Sequence, residues 1–186
     1  DLRSGWAETR RHPWFIANVL GHGVWHLCAG FLLTLGPVIA IGHLGGGTAW
    51  VAILQTGTVG MLAGVWVAGR RRTRRPLVGV ALGASAYALP LAALAAAAPL
   101  PIVLGAYFAA MFGLGVLDPL WETTMQQRIP ADALGRVGSF DALISFAARP
   151  VGLAVAAPVA AAVGTTAPLA IAAVLVAAAN LAVLTL

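Results

Sequence analysis

Apolar residues in this chain gather into six runs of membrane-crossing length, and polar residues are largely confined to the gaps between them. A helix needs about 20 apolar residues to cross the hydrocarbon layer of a bilayer. Runs of that order cover approximately Trp14–Ile41, Ala49–Gly69, Leu77–Ala98, Leu100–Met125, Val137–Val163 and Ala167–Leu186. Pro13 stands where an N1 proline would open the first helix. Gly45–Gly47 and the prolines at 99, 101 and 168 punctuate the turns. The pattern predicts an all-α, polytopic membrane bundle of six transmembrane helices.

The gaps are of two kinds. Ten of the eleven arginines fall in three clusters: Arg3, Arg10 and Arg11; Arg70, Arg71, Arg72, Arg74 and Arg75; Arg128 and Arg136. The linkers His43–Thr48, Ala98–Pro101 and Gly164–Ala167 carry no Arg or Lys. Basic residues are held on the cytoplasmic side because moving them across a bilayer is costly. Each cluster is therefore expected in the cytoplasm, the uncharged linkers outside, and both chain ends in the cytoplasm of a cell-membrane protein. Residues 1–13 read as a cytoplasmic linker segment and residues 14–186 as the six-helix domain.

Composition agrees: 60% of residues are apolar and 9% are charged, against about 25% charged in soluble domains. The pI near 11.1 follows from arginines that flank spans instead of lining one soluble face, so no nucleic-acid partner is expected. Anionic lipid contact at Arg70–Arg75 is a second use for them. A lone Cys28 supports neither a disulfide framework nor a metal knuckle. The HExxH, GxSxG, CxxC and Walker patterns are missing, and no cofactor is expected. The chain begins at Asp1 without Met and stops inside an apolar run, so it reads as the trailing half of a longer protein.

Ionisable residues inside a span are costly and tend to face the bundle interior or a wet cavity. His22 and His26 lie in the first run, Gln55 in the second, Asp118 and Glu122 in the fourth, Asp141 and Arg149 in the fifth. Spans one, two, four and five are therefore expected to line a polar path, with three and six facing lipid. Asp118, Glu122 and Gln126 share one helical stripe, as do Asp141, Ser145 and Arg149 on the next helix. If those two helices face each other across the Arg128–Arg136 turn, Arg149 lies deeper than Asp118 by ~6 Å of helix rise. A long Arg side chain reaches across that gap, which predicts an Asp118–Arg149 ion pair. Glu122 and Asp141 come out nearer the mouth as proton-coupling or gate candidates, since two carboxylates in a dry site resist both being charged. The alternative is that they neutralise Arg128 and Arg136. Pro119 and Pro150 free backbone carbonyls beside the charged residues, which predicts kinked or hydrated segments. His22 and His26 have metal-ligand spacing, but no Cys, Asp or Glu on the first span completes a set. A cavity-lining or packing role is expected instead.

The run Trp121-Glu122-Thr123-Thr124-Met125-Gln126-Gln127-Arg128-Ile129-Pro130, continuing to Leu134, Arg136 and Val137, resembles the fourth-to-fifth helix junction in the C-terminal half of major facilitator superfamily exporters. The Arg70–Pro76 turn and Arg11-His12-Pro13-Trp14 are similar to the same group, closest to its enterobactin-exporter and macrolide-efflux-like branch. The resemblance implies one half of a twelve-helix major facilitator fold, built as a 3+3 inverted repeat, working with an N-terminal six-helix half that precedes it. It implies secondary active export of small amphipathic molecules, of drug or siderophore type, by proton antiport with alternating access. Asp118, Arg149, Gln55 and His26 would then line the substrate cavity. The superfamily's cytoplasmic loop motif maps onto Gly64, Ala68, Gly69, Arg70, Arg71 and Arg72, with Arg74 and Arg75 following. Ala68 stands where that motif has Asp and Arg71 where it has Gly, and Arg149 occupies a place expected to be apolar. Two rival readings stay open: a non-transporting membrane scaffold whose buried charges specify helix packing, and an intramembrane enzyme using Ser145 beside Asp141.

Overall fold

The computed structural model describes residues 9–71 and 73–185, without the side chains of 145 and 146. Most of the linker segment, with Arg3, lies outside the described residues, as do Arg72 and the side chain of Ser145. The described chain is helical nearly throughout: α1 (Pro13–His43), α2 (Gly47–Arg70), α3 (Pro76–Ser85), α4 (Ala88–Ala95), α5 (Leu100–Arg128), α6 (Ala131–Val163) and α7 (Thr166–Ala182), closed by a short 3-10 turn at Val183–Thr185. With α3 and α4 taken as one span, six helices are long and apolar enough to cross a membrane. The chain is a multi-pass helical membrane protein.

Helix boundaries follow local chemistry. Pro13, Pro76 and Pro101 stand in the first turns of α1, α3 and α5, where a missing N–H costs nothing. Between α1 and α2, Gly45 and Gly46 adopt φ of 103° and 96°, a region open to glycine. The amides of Leu44 and Gly46 both close on the carbonyl of Ala40 there, at 3.1 and 3.0 Å. Interior prolines do not interrupt the helices: α5 runs through Pro119, and α6 through Pro150 and Pro158. The break comes at Ala86–Tyr87 in the third span. The fifth span begins at Ala131, six residues before its apolar run, because its first two turns, which carry Asp132 and Arg136, are helical as well.

Helix pairing is set by glycine. α1 packs along α6, and α2 along α5. A Cβ on Gly30 would meet the Gly152 carbonyl carbon at 2.6 Å, and one on Gly23 would meet Ile144 at 2.9 Å. Gly60 and Gly64 of α2 likewise sit against the carbonyls of Phe108 and Phe112, and Gly115 of α5 against that of Met61. Bare backbones approach closely enough here for dispersion to hold helices that no hydrophobic force drives together in lipid. Both pairs run parallel, since Gly57 lies by Tyr107 and Gly64 by Phe112. The ends bearing Arg10–Arg11, Arg70–Arg75 and Arg128–Arg136 therefore share one end of the bundle.

The third span is half-buried: one face packs into the bundle, while Leu82 and Leu89 leave the other face exposed, as expected of a lipid-facing surface. Val80, Ala84, Tyr87 and Leu91 are buried as α3 and α4 pack on α5 and α7. Its lack of charge suits a helix whose inner face meets apolar side chains and whose outer face carries Leu82 and Leu89. The most exposed spans are instead α2 and α6, whose outer faces carry Val51, Val59, Leu62 and Trp66, and Leu143, Val151 and Val163.

Candidate functional site

The charged residues of the spans converge on one cavity of about 310 Å³ in the arginine-bearing half of the bundle. α1 contributes His22, Trp25 and His26; α5 contributes Leu114, Leu117, Asp118, Trp121 and Glu122; α6 contributes Asp141 and Arg149; α3 closes the wall with Ala84. The volume lies at the lower end of small-molecule sites.

Asp141 is the organised centre. One carboxylate oxygen accepts a hydrogen bond from Trp121 Nε1 at 2.8 Å, and the other lies 3.3 Å from His22 Nδ1. A carboxylate only accepts, so His22 donates from Nδ1–H. The His22 ring meets Trp121 edge to face at 4.8 Å, and Phe15 stacks on Trp121 at 5.6 Å. These contacts tie α1, α5 and α6 together at one depth. Thr124 and Asn18, both buried beside this cluster in sequence, turn their polar groups back onto backbone carbonyls of their own helices.

Deeper in the bundle the pattern changes. Arg149 lies two turns beyond Asp141, ~12 Å of rise, with its guanidinium 5.8 Å from the Trp25 ring. Trp25 in turn packs edge-on against His26 at 4.9 Å and against Tyr87 at 4.7 Å. Among the described residues, four buried side-chain nitrogens have no hydrogen-bond partner: His22 Nε2, Trp25 Nε1, His26 Nδ1 and Arg149 Nε. All four belong to residues lining the cavity. Orphaned buried polar atoms are rare in proteins, and here they gather where α1 meets α6.

The Asp118–Arg149 ion pair is not formed among the described residues. Both residues line the cavity, but Asp118 is exposed while the guanidinium turns to Trp25. The pair requires that helices consecutive in sequence face each other. Here α6 is drawn against α1 through Gly30 and Gly152, and α5 against α2, so α5 and α6 touch little. Gln55 is exposed on α2 and does not reach this cavity. The expected polar path through span two is thus replaced by a wall that includes span three. Arg136 pairs with Asp132, 3.8 Å away on the same helix, and Arg128 lies 5.3 Å over the ring of Trp14.

At the loop after α2, Gly64 is buried in the α2–α5 seam and serves packing. Arg70 lies 3.9 Å over the ring of Trp66, and Arg71, Arg74 and Arg75 are exposed. Neither the parts played by Trp25 and Trp121 nor the His22–Asp141 pair follow from hydropathy and charge spacing alone. A tryptophan as far inside its span as Trp25, away from the interfacial belt where this residue concentrates, was the available signal. Comparison with family models, with curated proteins and with solved structures finds no match to this chain.

Proposed function

We propose that this chain is the C-terminal half of a secondary active exporter of small amphipathic molecules, coupled to protons by antiport and working by alternating access beside an N-terminal six-helix half. One observation carries the reading: a cavity of small-molecule size, walled by both apolar and ionisable side chains, lies inside a bundle of six membrane-length helices. Buried charge of this kind is costly in a bilayer, and here Asp118 and Arg149 line a cavity instead of pairing helix to helix.

The helix pairing supports a 3+3 inverted repeat. Exchanging spans one, two and three with four, five and six carries the α1–α6 seam onto the α5–α2 seam. The same exchange carries the Gly21–Asn180 contact of α1 and α7 onto the Gly113–Gly83 contact of α5 and α3. Odd-numbered repeats of three spans insert in opposite senses, as in many transporters. The arginine-bearing end is then cytoplasmic, and the cavity opens from that side.

Proton coupling belongs to His22 with Asp141, with Glu122 and Asp118 at the exposed mouth. A proton arriving on His22 Nε2 turns a neutral ring beside a carboxylate into an ion pair. Because the pair joins α1 to α6, protonation changes how strongly those helices are held. Moving one proton down 100 mV supplies about 2.3 kcal/mol.

The test is efflux of ethidium from vesicles energised by a pH gradient, using the full-length protein. Asp141→Asn and His22→Gln are expected to abolish pH-driven efflux while leaving ethidium binding within about threefold. Undiminished pH-driven efflux in both variants overturns the proton assignment. Absence of any gradient-driven efflux by the wild-type protein favours the scaffold reading.

A further inference from the structure

We propose that the arginine-bearing ends of α2 and α3 hold an anionic phospholipid, its phosphate under the Arg71–Arg75 loop and its glycerol region against Thr123 and Gln127 of α5.

The loop carries more positive charge than sidedness asks of it. Five arginines stand within residues 70–75, whereas the turn from Arg128 to Arg136 holds the same end of the bundle with two. Those two are engaged, Arg136 by Asp132 and Arg128 by the ring of Trp14. Arg70 is likewise placed over Trp66. Arg71, Arg74 and Arg75 are exposed, and among the described residues none of them has an acidic partner. Basic clusters of this size beside a membrane span attract anionic lipid. The planar guanidinium fork also matches a pair of phosphate oxygens.

Packing below the loop supplies the rest of the site. α2 and α3 both lie along α5 but touch each other little. A Cβ on Gly64 of α2 would meet the Val116 nitrogen at 3.0 Å, and one on Gly79 of α3 would meet Leu120 Cδ1 at 2.7 Å. The α5 face bearing Val116 and Leu120 therefore lies between the two helices. Thr123 and Gln127 continue that face at intervals of three and four residues, and both are exposed. Gly83 lies by Gly113 and Gly79 by Leu120, so α3 runs antiparallel to α5 and its first residues come level with Thr123 and Gln127. A hydroxyl and an amide thus stand beneath the arginines. The adjoining outer faces are apolar, with Leu62 and Val65 of α2 and Leu82 of α3 exposed. A soluble anion has no use for such flanks, whereas acyl chains cover them, so the occupant is a lipid and not free phosphate.

The test titrates the purified full-length protein in nonionic detergent with dioleoyl phosphatidylglycerol or dioleoyl phosphatidylcholine and counts bound lipids by native mass spectrometry. Phosphatidylglycerol is expected to bind about tenfold more tightly than phosphatidylcholine. Arg71→Gln, Arg74→Gln and Arg75→Gln combined should weaken its binding about tenfold or more. The matching triple change to Lys keeps charge and sidedness without the fork, and should fall between. Thr123→Val with Gln127→Leu should weaken phosphatidylglycerol about two- to fivefold with every arginine intact. Equal affinity for the two lipids, or wild-type affinity in the triple Gln variant, overturns the site. If the triple Gln variant does not fold, the Lys variant and the Thr123 and Gln127 variant decide, and wild-type affinity in both overturns it. Displacement of the lipid by millimolar inorganic phosphate rejects a lipid as the occupant. The site shares no residue with the cavity, so its failure leaves the transporter reading standing.

Discussion

Trp121 donates its indole N–H to Asp141 across 2.8 Å, bridging α5 and α6 at a level where the two helices otherwise make little contact. The bond also fixes the carboxylate so that its second oxygen meets His22 of α1. A half-buried carboxylate therefore joins three helices that are well separated in sequence.

Trp121→Phe keeps the ring against Phe15 but removes the donor. Losing this hydrogen bond to a charged acceptor is expected to lower stability by about 1–3 kcal/mol. Thermal unfolding in detergent, followed by tryptophan emission or by size-exclusion after heating, reads the shift. A midpoint unchanged from wild type would show that the bond carries no weight.

Asp118 and Arg149 should be energetically independent for folding. The exchange Asp118→Arg with Arg149→Asp is expected to be no better than the sum of its single changes, with a coupling below ~0.5 kcal/mol. A cycle on His22 and Asp141 should return a coupling of at least ~1 kcal/mol, since those side chains are in contact. Rescue by the Asp118–Arg149 swap would restore the ion pair that the fold does not make.

Glycines differ sharply in tolerance, even along α6. A Cβ on Gly152 runs into the carbonyl of Leu27, whereas one on Gly135 meets nothing within 4 Å. Gly152→Ala is expected to cost ~1–3 kcal/mol, as overpacking does, and to reduce the yield of monodisperse protein. Gly135→Ala should raise stability by ~0.5–1 kcal/mol through helix propensity. Equal behaviour of the two variants would remove the α1–α6 seam as an explanation of the pairing.

Ala97 takes φ of 50° in the turn that ends the third span, a conformation that costs a residue with a Cβ about 1–2 kcal/mol. Ala97→Gly is expected to match or exceed wild-type thermal stability, and Ala97→Val to fall below it. The opposite order would mean that the turn relaxes.

Sidedness can be read by labelling single cysteines, with Cys28 buried and so silent. Cysteines at Arg74 and Ala131 should react only with a permeant reagent in intact cells. Those at His43 and Thr165 should react with an impermeant one as well. Identical reactivity at all four positions would overturn the alternating topology and the cytoplasmic placement of the arginines.

Much of the architecture was legible from hydropathy and arginine spacing alone. Length and composition decide whether a segment can cross a bilayer, and these are local properties, so the six spans emerged within a few residues of their ends, the start of α6 excepted. The concentration of His22, Asp118, Glu122, Asp141 and Arg149 in particular spans likewise pointed to a shared polar interior. Which of them meet was not legible. A stripe on one helix says which residues share a face, but not which helix that face confronts.

That choice belongs to tertiary packing. The tightest seams join α1 to α6 and α2 to α5, because Gly30, Gly152, Gly60, Gly64 and Gly115 let those backbones approach most closely. Sequence neighbours α5 and α6 are thereby splayed, Arg149 turns to Trp25, and Asp141 turns to His22 and Trp121. The sequence by itself determined that helices cross an apolar layer and where their charges lie along the axis, since both follow from the cost of placing polar groups in hydrocarbon. Only the folded bundle decided the partners of those charges, because in lipid it is close contact between helix surfaces that selects which helices sit together.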